Sequence, residues 1–299
     1  MRKIRAVVPI FLGIIISTCS LNGVSNNYNN ILPSFEQNAY AHNFTPDESA
    51  SFLSFIEQLR VESELVRSNL ANNNISLAHQ HANKAAALLT PNITKEIAER
   101  VQRVSQDLST AVSDLQNISS PQQQEPSASE INQLANLDAI LDEAISARID
   151  REQRDNVTIQ AFAFANLVNS VLRDYGNAYA VGFDMTNMSN MARMMDMPGS
   201  NRNVSSSSVM GTELDRNYSL VNAADYQSAQ ALANKALEFF KTKLAPMESS
   251  NNRTAFIMNG LMQLNNSIKS KASPMDIMMI VHTQIHPYLM KMFGLQLQK

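Results

Sequence analysis

After residue 45 the apolar residues recur at intervals of three and four almost without a break, and that period fits one kind of element, the amphipathic helix. In the first run Phe52, Phe55, Ile56, Leu59 and Leu65-Val66 share one helical face. Thr45-Pro46-Asp47-Glu48 opens it as a capping box with proline in the first helical position, and the helix extends to about Leu70. A second helix spans about 75–89 and stops at Thr90-Pro91. A third runs over about 93–117, carried by Ile97, Val101, Val104, Leu108, Val112 and Leu115. The stretch SSPQQQEPSAS, 119–129, reads as a linker, and the capping box Ser127-x-x-Glu130 starts a fourth helix that ends near Ile149.

The second half keeps the same rhythm. A long helix covers about 155–183, a loop rich in Met, Ser and Asn fills 185–215, and helices follow at about 218–243, 250–271 and 274–293. Ser273-Pro274 starts the last of these. The expectation is an all-α fold of about eight helices in two four-helix units, 45–150 and 151–299. Ala82-Asn83-Lys84-Ala85 recurs as Ala233-Asn234-Lys235-Ala236, followed by Leu88-Leu89 in one copy and Phe239-Phe240 in the other, then by Pro91 and Pro246. Both copies sit on the second helix of a four-helix run, as a duplication would place them. Four residues also recur readily by chance in an alanine-rich helix, so both explanations stand.

Composition narrows the function more than the fold. Cys19 is the only cysteine and lies at the end of the leader, so the folded part holds no disulfide, no thiol nucleophile and no cysteine-based zinc site. Removing Arg2, Lys3, Arg5 and Glu36 with the first 41 residues takes the net charge from −3 to −5, which argues against a nucleic-acid partner.

Residues 1–18 read as a signal peptide: RKIR at 2–5 is basic, and AVVPIFLGIIIS at 6–17 is apolar but shorter than the roughly 20 residues a membrane span needs. Residues 19–44 are then a tether or a remainder of the leader. Ile16-Ser17-Thr18-Cys19 is a loose lipobox that places Cys19 to receive a lipid, whereas Ala39-Tyr40-Ala41 is an A-x-A site that would leave His42 as the mature N-terminus. Lipid anchoring, early cleavage and cleavage after Ala41 all stay open. Any membrane contact comes through this leader or the lipid. Ten N-x-S/T sequons, at Asn43, Asn74, Asn92, Asn117, Asn156, Asn187, Asn203, Asn217, Asn252 and Asn265, fit a glycosylated protein outside the cytoplasm.

The segments AYAHNFTPDESASFL, YGNAYAVGFDMTNMS, DYQSAQALANKA and MDIMMIVHTQIHP resemble a group of uncharacterised exported helical proteins of ammonia-oxidising archaea. The resemblance covers nearly all of the chain after residue 38 and implies an exterior location and a helical fold. It brings no established activity and no functional residue. Such organisms rely on copper enzymes outside the membrane, which implies a copper-rich setting.

The strongest chemical constellation lies in the last helix. Met275, Met279, His282 and His286 fall within an arc of about 60° on a regular helix. Two thioethers and two imidazoles on one strip suit copper, with Met favouring Cu(I). The competing explanation is packing, because Met278, Val281, Ile285, Leu289 and Met292 form an adjacent apolar stripe, His282 could bond a carbonyl at the core edge, and Pro287 disfavours helical geometry at His286. A second constellation is Met185, Met188, Met191 and Met194, with Met195 and Met197, beside the polar run SNRNVSSSSVMG at 200–211. Thioethers in a polar loop can gather around Cu(I), while Met188, Met191 and Met195 also share a helical face with Val181 and could serve a core or a partner.

Weaker candidates remain. His79 and His81 point about 160° apart on a helix and read as polar-face histidines. His42, if N-terminal, could chelate Cu(II) through its amine and ring. Glu57, Glu62 and Glu64, with Asp47 and Glu48, read as a solvated face, since no E-x-x-H partner accompanies them. The chain carries no G-x-S-x-G, H-E-x-x-H, phosphate-loop or dinucleotide motif, so a catalytic role is not expected. Two readings survive: an extracytoplasmic binding protein that buffers or carries copper through Met and His, and a structural or interaction protein of the cell envelope, with an unidentified partner and no metal.

Overall fold

The structure, a computed structural model, describes residues 46–120, 136–187, 218–247 and 251–295. The elements are α1 (Pro46–Ala71), α2 (Ile75–Leu88), α3 (Pro91–Ile118), α4 (Asn136–Arg148), the single turn α5 (Arg151–Arg154), α6 (Val157–Ala178), α7 (Ala223–Phe239), α8 (Asn251–Lys269), α9 (Pro274–Ile280) and α10 (His286–Phe293). The π-helical segment Phe240–Leu244 continues α7, and a second one, Val281–Ile285, joins α9 to α10 into one rod. The fold is all-α, with eight rods of more than one turn and no strand among the described residues.

Local chemistry sets the helix starts. Asn74, Thr90, Asn156, Asn222 and Ser273 each accept a backbone N–H through the side chain at the first turn of the helix they precede. Pro91 and Pro274 follow Thr90 and Ser273 in positions where a missing N–H costs nothing. The boundaries differ from expectation in three places. The 155–183 helix ends at Ala178, and Ala180 has φ +48. The 218–243 helix begins only at Ala223, because Val221 and Asn222 donate their N–H groups to the Ala178 carbonyl. The 93–117 helix bends at Val101 (φ −145, ψ 93), where Ser105 Oγ donates to the Thr94 carbonyl at 2.7 Å; a straight helix would separate those residues by about 16 Å. The Ser127–Glu130 box, the 119–129 linker after residue 120 and the 188–215 part of the expected loop lie outside the described residues.

α6 is the central helix, with Ala161, Phe164, Leu167, Val168, Val171, Leu172 and Tyr175 buried on most of its circumference. It packs on α1 and α7, and α1 packs on α2. Small residues on α7 (Ala229, Ala233, Ala236) let it approach closely. The two halves follow the same circuit: α1 to α2, α2 to α3, α3 to α4 and α4 back to α1, then α6 to α7, α7 to α8, α8 to the α9–α10 rod and that rod back to α6. The repeated motif also behaves alike, since Ala82, Ala85, Ala233 and Ala236 are all buried while Lys84 and Lys235 each reach a carboxylate of α1, Glu62 and Glu57. The described residues nonetheless form one compact unit, with both halves sharing a core.

Candidate functional site

The α9–α10 rod does not keep the four-residue strip together. Pro287 has no N–H to give the Thr283 carbonyl, and its ring would strike that carbonyl in a regular helix. The chain accommodates it by widening over Val281–Ile285, where the His286 N–H reaches back to the Val281 carbonyl. Widening changes the rotation per residue, so the strip splits. His282 and His286 turn inward and are 7% and 5% exposed, whereas Met279 faces out at 37% and Met275 lies half-buried against the core. Gly260 of α8 lets the widened turn seat closely, since a Cβ there would stand 3.1 Å from Ile285 Cγ1.

The two imidazoles meet edge to face with ring centres 5.2 Å apart. His282 Nε2 donates to the Met185 carbonyl at 3.0 Å, because a carbonyl can only accept. In the neutral ring the His282 lone pair therefore sits on Nδ1. Met185 is buried, and its thioether rests against Gly176, where a Cβ would come within 3.1 Å of Sδ. His286 Nε2 is buried with no hydrogen-bond partner among the described residues. Burial, and then the neighbouring His282, push the His286 pKa down to about 4, so its ring is neutral at ordinary pH.

Neutral imidazoles and a thioether are metal donors. A metal binds an imidazole along a nitrogen lone pair in the ring plane, so in this edge-to-face packing a shared ion would require one ring to turn. No group of three or more His, Cys, Asp or Glu suited to a metal occurs among the described residues. Of the expected ligands, His282 and His286 stand side by side and His282 reaches the Met185 backbone carbonyl, while the Met185 sulfur rests against Gly176; Met275 lies against the core and Met279 faces out; Met188, Met191 and Met194 lie outside the described residues.

A second polar centre differs from what the sequence implies. Glu62 and His81, which read there as a solvated face and a polar-face histidine, are 3% and 0% exposed. His81 Nδ1 lies 2.8 Å from Glu62 Oε2 and its Nε2 lies 2.9 Å from Gln227 Oε1. Asn69 donates its amide to both the Leu65 carbonyl and Gln227 Oε1, so Gln227 must present its oxygen and both ring nitrogens of His81 face acceptors. Ser228 Oγ donates to Glu62 Oε1 at 2.7 Å. Lys84 then joins Asp225 at 2.5 Å, Asp174 at 3.0 Å and Glu62 at 3.8 Å. Two pKa values rise here, for different reasons. Burial raises Asp174 to about 6 against the pull of Lys84, and Asp174 and Glu62 hold Lys84 above its usual value although burial opposes its charge. The signal was present in register: Glu62 falls on the face of Leu59 and Val66, and His81 on the face of Ala78, Ala82 and Ala85. The centre ties α1, α2, α6 and α7 together.

Among the sequons, Asn265 is 5% exposed and donates its amide to the Ala233 and Leu261 carbonyls, so the folded chain has no room for a glycan there.

The chain matches no family model, no curated protein and no solved structure.

Proposed function

We propose that the protein is an extracytoplasmic helical binding module for a soft metal, copper as Cu(I), which it buffers or carries through His286, His282 and Met185. The observation that carries this reading is His286 Nε2, a buried imidazole nitrogen with no hydrogen-bond partner among the described residues, beside a second imidazole. Leaving such a group unsatisfied costs about 1–3 kcal/mol, and a ligand would offset that. Met185 stands where the Met-rich stretch begins, so Met188, Met191 and Met194 are in sequence reach as further thioethers. Export rests on the leader at 1–18, and any membrane contact on that leader or a lipid at Cys19; no helix of the described residues is long and apolar enough to cross a membrane. Binding rather than catalysis is the role proposed.

The alternative is an envelope protein that uses these residues for structure or for an unidentified protein partner. It draws on the His282 bond to the Met185 carbonyl and on Met275 against the core, both of which need no metal. A competition titration of the purified, reduced protein against a Cu(I) chelator separates the two. Stoichiometric retention of Cu(I), preferred over Zn(II) and lost in His286→Leu, is the expected result. Complete transfer of copper to a weak chelator sinks the metal reading and leaves the envelope one. Mass spectrometry of the mature N-terminus, with membrane fractionation, tests export, and an unprocessed cytosolic chain would refute it.

A further inference from the structure

A second proline-relieving π segment shapes a different part of the surface. Phe240–Leu244 precedes Ala245-Pro246 as Val281–Ile285 precedes His286-Pro287, and it carries Lys243 to the end of the bundle where α1, α4, α5 and α6 also arrive. There they enclose a groove of about 470 Å³. Its apolar side is Leu53, Ile145 and Phe239; four cations, Arg60, Arg151, Arg154 and Lys243, also line it.

The charges in this groove do not balance. Arg60 is engaged by Glu57 (3.7 Å), Asp138 (3.2 Å) and Asp142 (2.5 Å), and the other oxygen of Glu57 meets Lys235 at 3.2 Å. The lining carboxylates Glu57 and Asp142 are therefore occupied. Arg151, Arg154 and Lys243 form no ion pair among the described residues, and the one remaining carboxylate, Asp155, is exposed at the rim. Arg154 is also held in place. Its Nη1 donates to Ser146 Oγ at 3.0 Å, its carbonyl accepts from Gln160 Nε2 at 2.5 Å, and its Nε–H is buried without a partner. A guanidinium held in place, two further cations without an ion pair among the described residues and an adjoining apolar wall form a receptor for an anion with an apolar portion.

We propose that this groove binds a small molecule bearing an oxyanion, a phosphate or a carboxylate, with the anion on Arg151, Arg154 and Lys243 and its carbon skeleton over Leu53, Ile145 and Phe239. The site is independent of copper. The test titrates the full chain, without metal, with inorganic phosphate in one arm and hexanoate in the other, at ionic strength held constant with sodium chloride so that general screening does not change. Arginine Nε–H resonances and the melting temperature are read in both arms. Saturable binding in either arm that shifts the Arg154 Nε–H signal is expected, and the arm that saturates names the anion. Arg151→Gln with Lys243→Gln, both exposed residues, should leave the unliganded melting temperature unchanged and weaken binding about tenfold for each lost charge-assisted contact. Absence of saturation in both arms overturns the proposal, and so does an unchanged midpoint in the double variant.

Discussion

His81 and His286 are both removed from water, at 0% and 5% exposure, yet they sit in opposite circumstances. Around His81 every donor and acceptor is used: Glu62 and Gln227 take its two nitrogens, while Ser228 and Lys84 complete Glu62. His286 lies on a rod whose inward residues, His282 apart, are apolar, Met278, Val281, Ile285 and Leu289 among them, and its Nε2 has no counterpart among the described residues. Burial alone therefore says little about the role of a polar group. A satisfied network specifies how helices pack; unspent bonding capacity is what a ligand can use.

The comparison breaks most sharply at Glu62. Glu62→Ala leaves His81 and Lys84 in the interior without their shared carboxylate, and urea unfolding should show a loss of about 3–5 kcal/mol. His286→Leu should do the reverse, because it removes an unsatisfied nitrogen: stability holds or rises by about 1 kcal/mol while Cu(I) retention disappears. A comparable loss of stability in both variants would erase the distinction between the two centres.

Acid titration sharpens it next. His286 is depressed from 6.5 to about 4, so between those values the unfolded chain holds the extra proton; its contribution is complete above 6.5 and is lost as pH falls through about 4. Asp174 is raised from 3.8 to about 6, so its contribution is complete below 3.8 and is lost as pH rises through about 6. Each amounts to at most about 3–3.5 kcal/mol, and the two slopes oppose one another. Stability measured from pH 4 to 6 should be nearly flat for these two groups together. Asp174→Asn should expose a steeper acid loss, and His286→Leu should make the acid side relatively more stable. Identical pH profiles in all three proteins would count against both assignments.

The smallest effects distinguish the methionines. Met185→Leu keeps the volume beside Gly176 and should cost less than about 1.5 kcal/mol, yet weaken Cu(I) binding through loss of the sulfur. Met279→Leu, at an exposed position, should change stability by less than about 0.5 kcal/mol and leave Cu(I) affinity as it was. Equal weakening by both substitutions would return Met279 to the ligand set.

By itself the sequence determined that the chain is all-helical, where most helices begin, and which faces turn inward. Those properties come from period, capping side chains and proline, all of which act within a turn or two of the chain. Ser273-Pro274 and Thr90-Pro91 start helices where the local chemistry requires it. The signals for Glu62 and His81 were equally local, but their meaning was not: a charged residue on an apolar face is tolerable only when a partner arrives, and Gln227 and Ser228 come from more than 140 positions away. The candidate site was half legible for a related reason. His282 and His286 were identifiable as a pair from their spacing, and Pro287 announced a disturbance, but the direction of that disturbance depended on packing. A proline removes a donor and adds a ring, and the chain can answer by kinking, ending or widening. Against α8, with Gly260 making space, it widened, and this turned the histidines in and Met279 out. The tertiary structure alone decided which donors face one another, because that depends on contacts between distant segments, which no local pattern encodes.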